Sequence, residues 1–407
     1  MRLGNLEIFT VGNPEPGRGG RYFLLVKATS ACGVTGVGEA YAANVGPEAM
    51  ERVIRDVFDR YFLDESPFQI ESLFRRVYGS GFSQRPDATT MGAFSALEMC
   101  CWDIVGKALD KPVYMLLGGK VRDRLRCYTY LYPDDKQDAE KFYADAQMSA
   151  ERAAELVEEG FNAVKFDPAG AYSAFGPDQP APAVLERCEQ FMALIREAVE
   201  ERADLLFGTH GQFTPSGALR LARRLEPFEP LWFEEPVPPD MPEAMAKVAA
   251  NTDIPIAAGE RLTTKYEFAR LLSCNAASIL QPDLGRSGGI LEGKKIAALA
   301  EVHHAQIAPH LYCGPVVAAA NIQLATCIPN FLILESIGKM DGFHGKLLHK
   351  GFRWEEGCII PPDSPGLGIE LNEEVARAHP YDGKGLHLEM LREPVDFDHA
   401  QPADGAR

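Results

Sequence analysis

LWFEEPVPPDMPEAMAKVAANTDIPIAAGE, residues 231–260, holds two short apolar runs, each closed by a glutamate, with a stretch of helical periodicity between them. The runs LWFEE (231–235) and IPIAAGE (254–260) are brief and nearly continuous in their apolar character, the pattern of parallel strands buried on both faces. A strand, a helix and a second strand in this order predict a right-handed crossover within one parallel sheet. The glutamates Glu234 and Glu260 then stand at the same end of that sheet.

The same unit recurs on either side. Upstream lie CYTYL (127–131), NAVKFD (162–167) and DLLFGTH (204–210); downstream lie ASILQPD (277–283), AQIAPH (305–310) and FLILES (331–336). Eight such runs alternating with helices predict a (β/α)8 barrel, an α/β fold closed by its own strands, over about residues 126–374. From Gly208 the terminal residues follow at intervals of 26, 26, 23, 27 and 25, through Glu234, Glu260, Asp283 and His310 to Glu335. In such a barrel all of them project at the C-terminal rim, where chemistry is built. Residues 1–125 read differently. RYFLLVKATS and GVTGVGEAY carry a glycine-punctuated antiparallel pattern, and TTMGAFSALEMCCWDIVGKALD a long helical one, so an α+β capping domain is expected, completed by a C-terminal segment of about 375–407.

Composition narrows the partners. A net charge of −17 opposes binding to a polyanion, so nucleic acid is not an expected partner. No apolar run approaches the length of a membrane helix, and the opening MRLGNLEIFTVGNPEPG lacks the apolar core of a signal peptide. Nine cysteines, an odd number with no C-x-x-C pair, suit free thiols in a reducing compartment, and a cytoplasmic location is expected.

Carboxylates at the ends of buried strands are costly unless paired with a cation. Glu234 or Glu260 alone would pass for a solvated loop residue; two at successive strand ends converge on one hard divalent ion, with magnesium expected. His310 follows Asp283 by one strand, so the Asp can orient one imidazole nitrogen and poise the other as a base. Lys165 in VKFD is read as a second base or an electrostatic clamp. Glu335, if held protonated, can hydrogen-bond a substrate carboxylate. PAGAYSAFGPDQPAP (168–182) is long enough to act as a lid over the rim. Two loops of the capping domain, NPEPGRGGRYF (13–23) and GSGFSQRPD (79–87), bring Arg18, Arg21 and Arg85 as candidates for gripping the distal end of an anionic substrate, with Arg21 and Arg85 favoured.

The combination resembles the enolase superfamily, mandelate racemase subgroup, and within it the sugar-acid dehydratases similar to galactonate dehydratase. FSALEMCCWDIVGKALDKPVYMLLGGKVRDRLRCY looks like the family's link between cap and barrel. WFEEPVPP, AAGERL, QPDLGRSGGI and APHLYCGP match its strand ends in order, and SPGLGIELNEE looks like its C-terminal return. The resemblance implies that Glu234 and Glu260 are magnesium ligands, that Asp283 and His310 form a base dyad, and that Glu335 is the acid near the substrate carboxylate. It implies proton abstraction α to the carboxylate of a sugar acid and loss of a β-oxygen, hence a hydro-lyase giving a 2-keto-3-deoxy acid. A cycloisomerase of a sugar-acid lactone or anhydro sugar acid is the alternative, and a non-catalytic sugar-acid binding protein on a degenerate barrel is another. Relatives are commonly dimers or octamers, so a homo-oligomer is expected.

Two positions depart from that pattern. Where the family's first metal ligand, an Asp, is expected, this chain has Gly208, and His210 faces the same side two residues on. His210 then either binds the metal, or remains the general acid while water or Asp167 completes the metal shell, or the metal site is weakened. An imidazole among carboxylates would also admit manganese, zinc or nickel. Asp167 stands where many relatives carry a second lysine, which leaves proton chemistry on one face and makes Asp167 a substrate-facing residue.

Overall fold

The computed structural model describes residues 1–41, 45–82, 85, 87–134 and 136–395. The tail FDHAQPADGAR, expected to lack regular structure, lies outside the described residues, as does the rest of the segment beyond 395.

The N-terminal part opens with three antiparallel strands, β1 (Leu3–Gly12), β2 (Tyr22–Ser30) and β3 (Thr35–Ala40), followed by helices α1 (Pro47–Val57), α2 (Ile70–Gly79) and α3 (Ala88–Leu109). Sheet and helices share one apolar core that includes Leu24, Val26, Ile54, Phe62, Phe74, Phe94 and Leu97. The glycines of GVTGVGEAY make that core possible. A Cβ on Gly38 would lie 1.9 Å from the Ala96 carbonyl oxygen, and one on Gly36 2.2 Å from that of Cys100, so β3 rests directly on the backbone of α3.

Leu125 begins the barrel. Its strands are β4 (Leu125–Tyr130), β5 (Ala163–Phe166), β6 (Asp204–Gly208), β7 (Trp232–Glu234), β8 (Ile256–Ala258), β9 (Ile279–Leu280), β10 (Gln306–Ile307) and β11 (Leu334–Ser336), each paired in parallel with the next from β4 to β10. Closure comes from β11 pairing with β4 and from Ile307 bridging Phe331. Seven of the eight expected apolar runs contain one of these strands, and the eighth, 127–131, overlaps β4, which begins two residues earlier. The barrel interior is filled by one residue from every strand position: Tyr128, Ala163, Leu206, Trp232, Ala257, Ile279, Ala308 and Ile333, large beside small, with Tyr128 and Trp232 edge to face at 5.3 Å. Residues of the opposite parity, such as Val164, Phe207 and Phe233, pack outward beneath the helices. The repeat breaks after β11, where a four-residue helix, Phe343–Lys346, stands in place of a full one. A hairpin, β12 (Arg353–Glu355) and β13 (Cys358–Ile360), then pairs antiparallel with the start of β4.

Two buried carboxylates bolt the cap to the barrel. Glu39 of β3 accepts the backbone N–H groups of Gly314, Val316 and Val317, capping the helix Pro315–Cys327. Glu98 of α3 accepts those of Ile290 and Leu291 at 2.9 Å each, in the first turn of the helix Gly289–Val302. Both satisfy N–H groups that a helix cannot pair internally and place negative charge at the positive end of its dipole. The C-terminal segment returns over the same seam. Gly12 donates to the His379 carbonyl and Tyr381 to that of Thr10, while His387 sits with one ring nitrogen 2.8 Å from the Tyr22 carbonyl and the other 2.8 Å from that of Tyr312. All nine cysteines are free thiols, and no helix among the described residues is long and apolar enough to cross a membrane.

Gly38→Ala is expected to lower the unfolding free energy by at least about 1–3 kcal/mol, since a backbone carbonyl cannot yield to the added methyl. Gly79→Ala, with open space at its Cβ, serves as the neutral comparison in denaturant titrations. His344, buried under Phe23 with Nε2 2.9 Å from the Cys313 carbonyl, is held neutral by burial, its pKa lowered to about 4. Its contribution to stability is complete above the ordinary histidine range near 6.5 and disappears as the pH falls toward 4, by up to about 1.4 kcal/mol per pH unit. His344→Gln should flatten that part of the stability profile measured by urea unfolding.

Candidate active site

The rim gathers side chains from successive strand ends through backbone parity and two breaks in it. Lys165 and Asp167 follow the inward parity of β5, and Glu234 that of β7. On β8 the alternation is interrupted at Gly259, with φ at +131°, a conformation closed to most side chains, and this turns Glu260 into the cavity. On β6 the chain passes through the left-handed region at His210 (φ 45°) and Gly211 (φ 75°), which folds the imidazole of His210 back over the rim.

The resulting cavity is lined by Lys165, Asp167, His210, Glu260, His310 and Glu335 at its floor. His310 Nδ1 lies 2.6 Å from Asp283 Oδ2, whose other oxygen accepts the Gly285 N–H at 2.7 Å, so the dyad expected from the sequence is formed and oriented from below. His310 Nε2 faces Glu260 Oε2 at 3.6 Å. Lys165 Nζ donates to Glu234 Oε1 at 2.5 Å and stands 3.8 Å from Glu335 Oε1. Glu335 Oε2 accepts the Leu311 N–H at 2.7 Å. His210 Nδ1 is 3.3 Å from Asp167 Oδ2, and its Nε2 is 4.0 Å from Glu260 Oε1.

Charge dominates this arrangement. Five carboxylates, Asp167, Glu234, Glu260, Asp283 and Glu335, are buried around one ammonium, Lys165. Burial disfavours the cationic form of His310, yet the Glu260 charge and the Asp283 hydrogen bond raise its pKa to about 9. His210 is raised in the same way by Glu260 and Asp167 against the effect of burial. Burial pushes Glu335 upward, toward the protonated form. For Lys165 burial works against the charge, but Glu234 and Glu335 outweigh it and keep the amine protonated. Lys165 thus stands as a positive charge among these carboxylates, the electrostatic half of the role expected from the sequence.

A divalent cation fits this donor set. One donor atom each from His210, Glu234 and Glu260 lie within 4.8 Å of one another. Glu260 Oε2 is buried without a hydrogen-bond partner, an orphan that needs a cation or a ligand. Glu234 Oε2 is occupied by the Trp232 indole and the Gln281 amide, at 3.0 and 2.8 Å, while Oε1 carries only Lys165 and keeps a lone-pair direction open.

The walls hold residues not singled out from the sequence. Tyr130 donates to Asp167 Oδ1, and Tyr172, from the long loop after β5, packs against His210 with ring centroids 4.4 Å apart. Tyr41 of the cap lies against His310, with the Arg286 guanidinium 4.0 Å from the centre of the Tyr41 ring. Gln281 and Tyr130 were within reach of strand alternation, being two residues from Asp283 and Tyr128. Leu388, which also lines the cavity, carries no local signal, because the C-terminal segment reaches the rim only through tertiary packing.

The arginines are a correction. Arg21 and Arg85 do not line the cavity. Arg21 directly precedes β2 and is held by Glu389 at 2.8 Å and by the Leu386 carbonyl, while Arg85 is exposed on the surface. Arg18 is the cap arginine that lines the cavity, its guanidinium 5.3 Å from the centre of the Tyr132 ring and donating to the Pro133 carbonyl. The loop that carries it turns through positive φ at Gly17, Gly19 and Gly20, which separates the directions taken by Arg18 and Arg21.

Comparison with known proteins agrees with the geometry. Residues 17–118 match the mandelate racemase / muconate lactonizing enzyme N-terminal domain, and residues 148–375 the enolase C-terminal domain-like family. The D-xylonate dehydratase of Haloferax volcanii is 33% identical over 372 residues, 89% of this chain and 87% of its own. The D-gluconate/D-galactonate dehydratase of Picrophilus torridus is 34% identical over 382 residues, 93% of this chain and 94% of its own. A mandelate racemase/muconate lactonizing enzyme-like protein from Roseovarius sp. TM1035, of known crystal structure, is 56% identical with a TM-score of 0.96, over 98% of this chain and all of that one. With a capped barrel, a carboxylate-rich rim and these likenesses along nearly its whole length, the chain belongs to the mandelate racemase and muconate lactonizing enzyme family of enolase-like proteins.

Proposed function

We propose that this protein is a hydro-lyase that dehydrates a sugar acid to a 2-keto-3-deoxy acid. The observation that carries the reading is the His310–Asp283 dyad, whose free nitrogen opens into the same cavity as Lys165, Glu260 and Glu335. The relatives named for dehydration of D-xylonate, D-gluconate and D-galactonate support it.

The roles follow from the contacts. Asp283 holds the proton of the His310 imidazole on Nδ1, which leaves the Nε2 lone pair to take a proton from the carbon next to the substrate carboxylate. Lys165 supplies fixed positive charge on the opposite side, and Glu335, raised toward its neutral form, donates a hydrogen bond as the carboxylate gains charge. Glu234 and Glu260 would hold a divalent ion, magnesium or manganese, whose charge stabilises an enediolate and offsets the carboxylates that keep His310 basic. With Asp167 standing where many relatives carry a second lysine, the α-proton leaves on the side of His310 alone, and the imidazolium so formed returns that proton to a departing hydroxyl on the same face. Arg18, which lines the cavity from the cap side, adds positive charge toward the far end of an open-chain acid.

Incubation with magnesium or manganese and a panel of aldonic and aldaric acids should yield 2-keto acid from at least one member, detected by semicarbazide absorbance. Absence of product and of solvent deuterium at the α-carbon across the panel would contradict the assignment. His310→Asn should reduce α-proton exchange by at least about 10²- to 10⁴-fold while circular dichroism and metal content stay unchanged. Exchange at the wild-type rate in that variant would remove His310 as the base.

A further inference from the structure

We propose that His210 is a metal ligand, positioned by Asp167 and Tyr130, so that the divalent ion is bound by a mixed nitrogen and oxygen set. This rests on the metal-dependent reading given above. It assigns the imidazole to the ion rather than to proton transfer.

The first observation concerns position 208. Gly208 pairs in register with Glu234 at the end of β6 and is buried, yet it offers no side-chain donor. Crowding is not the reason for the glycine. A Cβ there would meet Lys165 Cε at 3.5 Å, Asp167 Cβ at 3.8 Å and His210 Cε1 at 4.0 Å, all ordinary contacts. A side chain at 208 would therefore meet no clash at its Cβ, and with glycine there the end of β6 offers no side-chain donor, so one must arrive from elsewhere.

The second is the path of the chain just beyond. The left-handed backbone at His210 costs conformational energy and brings the ring over that opening. Its Nε2 then stands 4.0 Å from Glu260 Oε1, too far for a hydrogen bond and close enough for one ion to touch both atoms. Glu234 completes the group of three donors within 4.8 Å.

The third lies behind the ring. Asp167 Oδ2 is 3.3 Å from Nδ1, a charge contact in which Nδ1 makes no hydrogen bond as it stands, and the other oxygen of Asp167 accepts the Tyr130 hydroxyl. A small rotation of the ring would let Nδ1 donate to this carboxylate, which would keep the proton there and raise the donor strength of Nε2, the arrangement common to histidine ligands of metals. Tyr172 flanks the ring at 4.4 Å and limits its rotation. Asp167 and Tyr130 are thus positioning residues that act through His210. An imidazole in the set favours manganese, cobalt, nickel or zinc over magnesium relative to carboxylates alone.

The test uses the full chain, stripped of metal with a chelator and titrated with Mn2+, with electron paramagnetic resonance reporting both affinity and nitrogen coupling. The wild type is expected to show nitrogen modulation of the Mn2+ spin echo, and His210→Asn, chosen because Asn tolerates the left-handed backbone, to lose it. Asp167→Asn should weaken Mn2+ binding about 10- to 100-fold, and Asp167→Glu should recover part of that loss. Gly208→Asp combined with His210→Asn should bind Mn2+ again without nitrogen modulation and shift preference toward magnesium. Modulation that persists in His210→Asn, or Mn2+ bound by the wild type with no nitrogen coupling, overturns this proposal and leaves the metal-dependent reading standing. Failure of the wild type to bind Mn2+ overturns both.

Discussion

Five buried carboxylates facing one ammonium is the constraint on which the rest of the structure turns. Isolated charges of this kind cost several kcal/mol each when removed from water, and a barrel rim cannot tolerate them without compensation. Lys165 offsets Glu234 and Glu335, and the two histidines are shifted toward their cationic forms beside Glu260, Asp167 and Asp283. Compensation by protons alone leaves Glu260 Oε2 without a hydrogen bond and holds His310 toward its cationic form. A divalent cation resolves both, which is why the donor geometry and the acid–base chemistry point to the same group.

The cap takes part in this arrangement. The helices that Glu98 and Glu39 cap are those that follow the strand ends bearing Asp283 and His310. Docking of the cap and placement of the dyad are in this way one structural event. Tyr41 closes over His310 from the same side, and Arg18 reaches the cavity from the loop before β2. The C-terminal segment adds a second tie, with His387 between Tyr22 and Tyr312 and with Leu391 hydrogen-bonded to the loop that carries Tyr172. The wall of the cavity is therefore assembled from three distant parts of the sequence.

Much of this was legible beforehand. Short apolar runs of regular spacing define the barrel because a strand buried on both faces has no polar alternation, and the residue at its C-terminal end has only the rim to occupy. That logic found Lys165, Glu234, Glu260, Asp283, His310 and Glu335 as one group. It also raised the question of Gly208 and His210, which only the turn at 210 and 211 and the carboxylate behind the ring could address. The arginines were not legible, since the direction of a side chain in a glycine-rich loop depends on φ values that the sequence permits without specifying. Nor was the contribution of Leu388, whose segment is held at the rim by the packing of His387 between Tyr22 and Tyr312.

Anomalous scattering from crystals grown with manganese and a sugar acid tests the central claim most directly. The account predicts a single strong peak within bonding distance of Glu234, Glu260 and His210, with a substrate carboxylate beside it and the α-carbon facing His310 Nε2. A cavity in which the sugar acid binds while the carboxylates remain paired with Lys165 and no ion appears among them would contradict it.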